Sequence, residues 1–286
     1  MNQFKRGFAL AGQSWRTLRS HRSLLLFPIL GTALALVIVG PPALAGAYLA
    51  DRGDTVPAAL VGVLAVYLIC FVSAFVGVGL AGAADAALRG EPGGLGYGMR
   101  LAARRLSAIS GWAAINALLT IALRALESRS ELASVAAGLV GGAWSVISLL
   151  AIPAIALEDA GPVTAIKRSA TLFKEHWGGR VTGMAAIGLG VFLLVMLPAI
   201  LLGVAGVALL SDSNGAGLGG GAVLIGVAVV VFCAGVVLSN ALRQVFAVAL
   251  YRFTTSGEVA QGFDRADLEQ AIRVRGRRQG ASPAVS

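Results

Sequence analysis

The sequence predicts an all-α, polytopic membrane helix bundle: six transmembrane helices arranged as three hairpins, each preceded by a cytoplasmic amphipathic helix in the interface. Three observations predict it. The chain is too apolar for a soluble particle, it holds six apolar stretches of about spanning length, and its basic residues alternate from one connection to the next. Of 286 residues, 57% are apolar and 13% charged, with a mean hydropathy of +0.82. A soluble domain carries about 25% charged residues, so this chain lacks the polar surface to cover itself in water. The composition excludes a disordered chain, a disulfide scaffold and a soluble enzyme.

A hydrocarbon core of about 30 Å requires about 20 apolar residues as helix, because each backbone N–H and C=O must be satisfied within the segment. The expected spans are residues 24–50, 57–84, 108–123, 132–157, 181–210 and 222–242. The third is the shortest and ends at Arg124, which can snorkel outward to lengthen it. Pro41-Pro42 and Pro198 are expected to kink their helices rather than end them. Ala43-Leu44-Ala45 after an apolar run resembles a signal-peptide cleavage site. The long basic leader and the prolines just before that site favour a retained span.

Orientation follows from the connections. The first 23 residues hold Lys5, Arg6, Arg16, Arg19 and Arg22 without an acid, and 20 of the 23 Lys and Arg fall on one side of the six spans. By the positive-inside rule that side is the cytoplasm. The expected location is the cell inner membrane with both termini inside. Residues 1–253 form the membrane domain in this reading, 254–275 a short cytoplasmic helical segment and 276–286 a disordered tail.

The cytoplasmic segments carry a repeat. Phe4, Phe8, Ala11, Trp15 and Leu18 fall on one helical stripe, as do Val163, Ile166, Ala170, Phe173 and Trp177. Lys5, Arg6, Leu10 and Trp15 align without a gap on Lys167, Arg168, Leu172 and Trp177. A weaker third copy sets Leu95, Met99, Ala102, Leu106 and Ile109 on a stripe, with Arg100, Arg104 and Arg105 off it. Basic residues beside an apolar, tryptophan-ended stripe suit an anionic inner leaflet. The expected headgroup contacts are Lys5, Arg6, Trp15, Arg100, Arg104, Lys167, Arg168 and Trp177. The competing reading is that these helices pack on the bundle and anchor its depth. Glu158 and Asp159 precede a helix start at Pro162, where the dipole favours negative charge; Lys167, Arg168 or Arg243 are their alternative partners.

Little points to chemistry. His21 and His176 lack metal-ligand neighbours in sequence, and Cys70 and Cys233 read as small packing residues. Neither H-E-x-x-H nor G-x-S-x-G occurs. Neither a cofactor nor nucleic acid is expected as a partner, and the chain is read as a non-enzyme. Ionisable and amide groups within membranes are functional hypotheses. Arg243, Asn116 and Asn240 therefore form the expected intramembrane polar site, with Glu158 or Asp85 as the partner of Arg243. Ser134, Gly138 and Gly142, and Ala222/Gly226 and Gly235/Ser239, are small-x-x-x-small faces expected to pack within the bundle.

The run Glu158-Asp159-Ala-Gly161-Pro162-x-x-Ala165-Ile166-Lys167-Arg168-Ser169-x-x-Leu172-Phe173-Lys174-x-x-Trp177 resembles the cytoplasmic motif of a loose group of six-span bacterial membrane proteins of unknown function. These are distantly similar to the membrane domain attached to some glycerophosphodiester phosphodiesterases. The resemblance implies a shared architecture and assigns no catalytic residue. The expected function is that of a scaffold or envelope factor engaging anionic lipid, with a protein partner or homo-oligomer left open. A transporter or channel is the alternative, although the repeat units are parallel and no midplane carboxylate is present.

Overall fold

The computed structural model describes residues 22–177, 197–210 and 216–259, and every regular element among them is helical. A short 3-10 turn, Arg22–Leu25, leads into α1 (Leu26–Asp51), followed by α2 (Thr55–Leu88), α3 (Leu95–Arg104) and α4 (Leu106–Glu127). Then come α5 (Glu131–Glu158), α6 (Pro162–Trp177), α7 (Leu197–Leu210) and α8 (Ala216–Ser256). Four of them, α1, α2, α4 and α5, are long and apolar enough to cross a membrane. α4 has 22 residues, which at 1.5 Å per residue is about 33 Å, and Arg124 lies in its last turn. Residues 260–275 of the expected helical segment 254–275, the tail, the leader 1–21 with its stripe, and most of the expected fifth span lie outside the described residues.

Local chemistry explains the boundaries. Gly53 takes φ 82° between α1 and α2, a left-handed conformation that lets the chain reverse within three residues. Ser130 caps α5, its hydroxyl accepting from the Ala133 N–H at 3.2 Å. Asp159 closes α5 in the left-handed region at φ 54°, which a short polar side chain tolerates better than a bulky one. α1 continues through Pro41 and Pro42 as expected, and α5 likewise continues through Pro153.

Successive long helices pack antiparallel. Gly31 meets Val76 and Gly46 meets Val61 between α1 and α2. Trp112 stacks on Trp144 and Gly141 faces Leu123 between α4 and α5. Gly203 faces Ala228 and Gly206 faces Ile225 between α7 and α8. In contrast, α2 and α8 run parallel. The Gln244 amide donates to the Gly77 carbonyl at 3.5 Å and the Arg252 guanidinium to Asp85 at 3.1 Å, and both pairs are 167 residues apart. The two helices are therefore in register over at least two turns.

The core lies at one end. No residue of α2 before Val72 is buried, whereas Val78 through Leu88 all are. Leu24, Phe27, Trp112, Ile155 and most of Ala241–Tyr251 join them. Arg89, Arg100, Arg104, Arg105, Lys167, Arg168 and Arg252 belong to this end, while Arg52, Arg124 and Arg129 belong to the other. We call the first the basic end.

Three sequence expectations are corrected. The stripe from Leu95 to Ile109 is broken, because the helix is interrupted at Arg105 and Leu106 is 45% exposed. Among the described residues nothing packs on Gly138 or Gly142: a Cβ on either would meet none of them within 4 Å, and α5 turns Trp144, Leu150 and Ala154 inward instead. The close backbone approaches occur at Gly79 against Gly98 and at Gly206 against Gly221. Glu158 and Asp159 do more than precede a helix, since each pairs with an arginine of another element.

Candidate functional site

A set of ion pairs, the collar, ties helices together at the basic end. Asp85, 7% exposed, receives Arg89 from its own helix and Arg252 from α8, each at 3.1 Å. Arg252 also pairs with Glu258, and Arg89 with Glu91 at 2.8 Å. Arg105, at the α3–α4 break, pairs with Asp159, and Arg168 of α6 lies 3.4 Å from Glu158. Tyr251 is buried beside that last pair. Its burial, with Glu158 nearby, pushes the phenol above its usual range, so it remains protonated. The partners expected for Arg243 are thus taken by others: Asp85 by Arg252, Glu158 by Arg168. Arg252 and Tyr251 escaped the sequence reading because a cation and a tyrosine just past a span are ordinary interfacial residues.

The two short helices of this end use their faces differently. On α3, Gly98 and Ala102 are buried and Leu95 and Met99 half-buried against the bundle, while Arg100 and Arg104 are exposed on the opposite side. The apolar stripe of α3 is taken up by its own protein. On α6 the bundle takes a different face, Ala165, Ser169 and Leu172, with the Ser169 hydroxyl donating to the Ile147 carbonyl. Val163, Ile166 and Ala170 lie about a third of a turn round the helix from that face. Val163 is 55% exposed and Lys167 is exposed too. Arg168 is exposed but tied to Glu158, and Trp177 ends the helix. Lys5, Arg6 and Trp15 lie outside the described residues.

The expected intramembrane polar residues fall in two places. Asn116 is half-buried between α4 and α5. Its Nδ2 donates to the Trp112 carbonyl at 2.9 Å, and its Oδ1 accepts from Trp144 Nε1 at 3.0 Å beneath the stacked indoles, whose centroids are 5.6 Å apart. This bond crosses between helices. Replacing Trp144 with Phe keeps a ring to stack and removes the donor. The expected cost is about 1 kcal/mol, read as a lower unfolding midpoint in mixed micelles.

Asn240 and Arg243 lie together on the far side of α2. With Gln244, Thr32 and Ser73 they contribute the polar groups to a cavity of about 490 Å³ between α1, α2 and α8, otherwise walled by residues such as Ile69, Val72 and Val76. Asn240, Arg243, Thr32 and Ser73 are exposed. Among the described residues no carboxylate pairs with Arg243 and none lines the cavity. Among the same residues no group of three His, Cys, Asp or Glu is gathered that could hold a metal.

Long apolar helices around a one-ended core, with an ionic collar and short helices folded onto that end, define the class: a helical membrane protein. Within that class the chain belongs to a family of unknown function (DUF6159), which it matches over residues 57–262. The match covers α2 through α8 and so contains both α2–α8 contacts and the ionic collar. No curated protein and no solved structure matches.

Proposed function

We propose that the chain is a six-span, non-enzymatic protein of the inner membrane that engages anionic lipid at its cytoplasmic face, as a scaffold or envelope factor. The observation that carries this reading is the rotation of α6: with Ala165, Ser169 and Leu172 turned to the bundle and Ile166 half-buried against the core, Val163 at the head of the stripe and the adjacent Lys167 are left exposed to the surroundings. An interfacial helix with an apolar flank and a neighbouring cation is how a protein meets an anionic leaflet. Arg100 and Arg104, exposed on α3, add charge to the same end.

The parity of the helices supports six spans in three hairpins. α8 can run parallel to α2, as the paired contacts of Gly77 and Asp85 indicate, only if an odd number of crossings separates them. Spans in α4 and α5 supply two, and 181–210 supplies the third. With 222–242 as the sixth span, the basic end becomes the cytoplasmic end by the positive-inside rule. The likeness of the Glu158–Trp177 run to six-span proteins and to phosphodiesterase membrane domains fits this plan as architecture alone.

The test is native mass spectrometry of the full chain released from anionic nanodiscs. Replacing Arg100, Arg104 and Lys167 together by Gln should remove most of the salt-sensitive anionic lipid that accompanies the wild type. Equal lipid retention by the two proteins would overturn the reading, and solute flux in loaded proteoliposomes would favour a transporter instead.

A further inference from the structure

We infer that the cavity between α1, α2 and α8 is a binding site for one anionic phospholipid of the cytoplasmic leaflet, with its phosphate on Arg243 and an acyl chain along the Ile69–Val76 wall. The inference rests on the six-span reading for its depth and on the cavity itself for its chemistry.

Depth comes first. Arg243 precedes Arg252 by nine residues on one continuous helix, so it lies about 13 Å further along α8 from the ionic collar. The collar is where this bundle meets water and headgroups, and Arg243 therefore projects from below it. A guanidinium at that level needs a counter-charge or hydration, because leaving it bare in hydrocarbon costs several kcal/mol. Among the described residues the protein supplies no carboxylate. It does supply neutral polar groups: Asn240 and Gln244 sit at i−3 and i+1 of Arg243, and Thr32 and Ser73 come from α1 and α2.

The form of the cavity then selects the ligand. Asn240, Arg243, Thr32 and Ser73 are all exposed: Thr32 and Ser73 lie in helices long and apolar enough to cross a membrane, Asn240 in the expected sixth span and Arg243 one residue past its end, so their surroundings are the lipid at and just below the headgroups. A phosphodiester matches the guanidinium fork and can accept from the amides and hydroxyls beside it. An apolar tail matches Val72, Val76 and Ile69 below. A free inorganic anion would match the first half and leave the second unused.

The experiment is a lipid titration of the full chain in neutral detergent by native mass spectrometry, with phosphatidylglycerol and, separately, phosphatidylcholine. The wild type should retain one phosphatidylglycerol about tenfold more tightly than phosphatidylcholine, and Arg243→Gln should remove that preference, as expected for the loss of a charge-assisted bond. Ala35→Phe, which fills the cavity without touching the cation, should displace the same single lipid and guards against a misfolded Arg243 variant. Gln at Arg100, Arg104 and Lys167 should leave this tight lipid in place, so failure of the surface reading and failure of the cavity reading give different patterns. Unchanged phosphatidylglycerol retention in both cavity variants would overturn the proposal. So would displacement of the lipid by millimolar inorganic phosphate.

Discussion

Asp85→Ala is expected to destabilise the bundle by about 3 kcal/mol, among the largest effects of any single charge in the chain. Asp85 is the carboxylate on which two helices converge: Arg89 reaches it from the next turn of α2, and Arg252 reaches it from α8. Removing one partner of a largely buried pair costs about 3–5 kcal/mol, chiefly because the other charge is left uncompensated. The lower end applies here. Arg252 keeps Glu258, and Arg89 keeps Glu91, so neither cation is stripped bare. The measurement is the unfolding midpoint in mixed micelles, together with the double variant Asp85→Leu, Arg252→Leu. That pair should recover most of the loss, since replacing a buried ion pair by packed apolar side chains is often neutral. If Asp85→Ala were as stable as the wild type, the α2–α8 register would not depend on this tie. The Gln244–Gly77 contact, at 3.5 Å the longer of the two, would have to hold it.

The same residues mark how far the sequence could be read. Hydropathy is a local property summed along the chain, and a helix must satisfy its own backbone in lipid. The stretches 24–50, 57–84, 108–123 and 132–157 therefore reappear as α1, α2, α4 and α5 with ends shifted by a few residues. The apolar sequence that runs past Arg243 to Phe253 likewise forms one uninterrupted helix with the sixth stretch. Partner identity is a different quantity. Whether Asp85 meets Arg243 or Arg252 depends on the axial register of two helices separated by 167 residues. Nothing local encodes that register. A shift of nine residues along α8 changes the answer from one arginine to the other.

Helix rotation was equally invisible. Periodicity sets Val163, Ile166 and Ala170 on one stripe of α6 and leaves open whether leaflet or bundle takes it, and the residues the bundle buries are Ala165, Ser169 and Leu172. Small side chains allow the closer approach, and Ser169 gains a carbonyl partner that no apolar stripe offers. Leu172, off the stripe in the repeat shared with residues 4–18, is the largest side chain that α6 buries among those described. The repeat thus recorded the packing residue, while the periodicity pointed at the flank.

Gly98→Leu is expected to undock α3 from α2, and Gly98→Ala to cost about 2–3 kcal/mol, the upper part of the range for overpacking. A Cβ at Gly98 would overlap the Gly79 carbonyl oxygen itself, and the Phe27 ring lies on the same spot. Backbone cannot swing aside as a side-chain tip can, so the whole of α3 must lift. The converse site is as tight: a Cβ on Gly79 would lie 2.9 Å from Phe27 and 3.2 Å from the Gly98 carbonyl. Two residues earlier on the same helix, Gly96 has none of the described residues within 4 Å of where its Cβ would be. Gly96→Ala should therefore be neutral or stabilising by about 0.5 kcal/mol, following helix propensity alone. Hydrogen exchange across residues 95–104 separates the two, with protection lost in Gly98→Leu and retained in Gly96→Ala. The pair also isolates position from charge in lipid engagement, because Arg100 and Arg104 remain on an undocked α3. If their role depends on a fixed place at the interface, Gly98→Leu should shed the salt-sensitive lipid that Gly96→Ala keeps. Retention by both would mean that charge alone, wherever the helix lies, is sufficient.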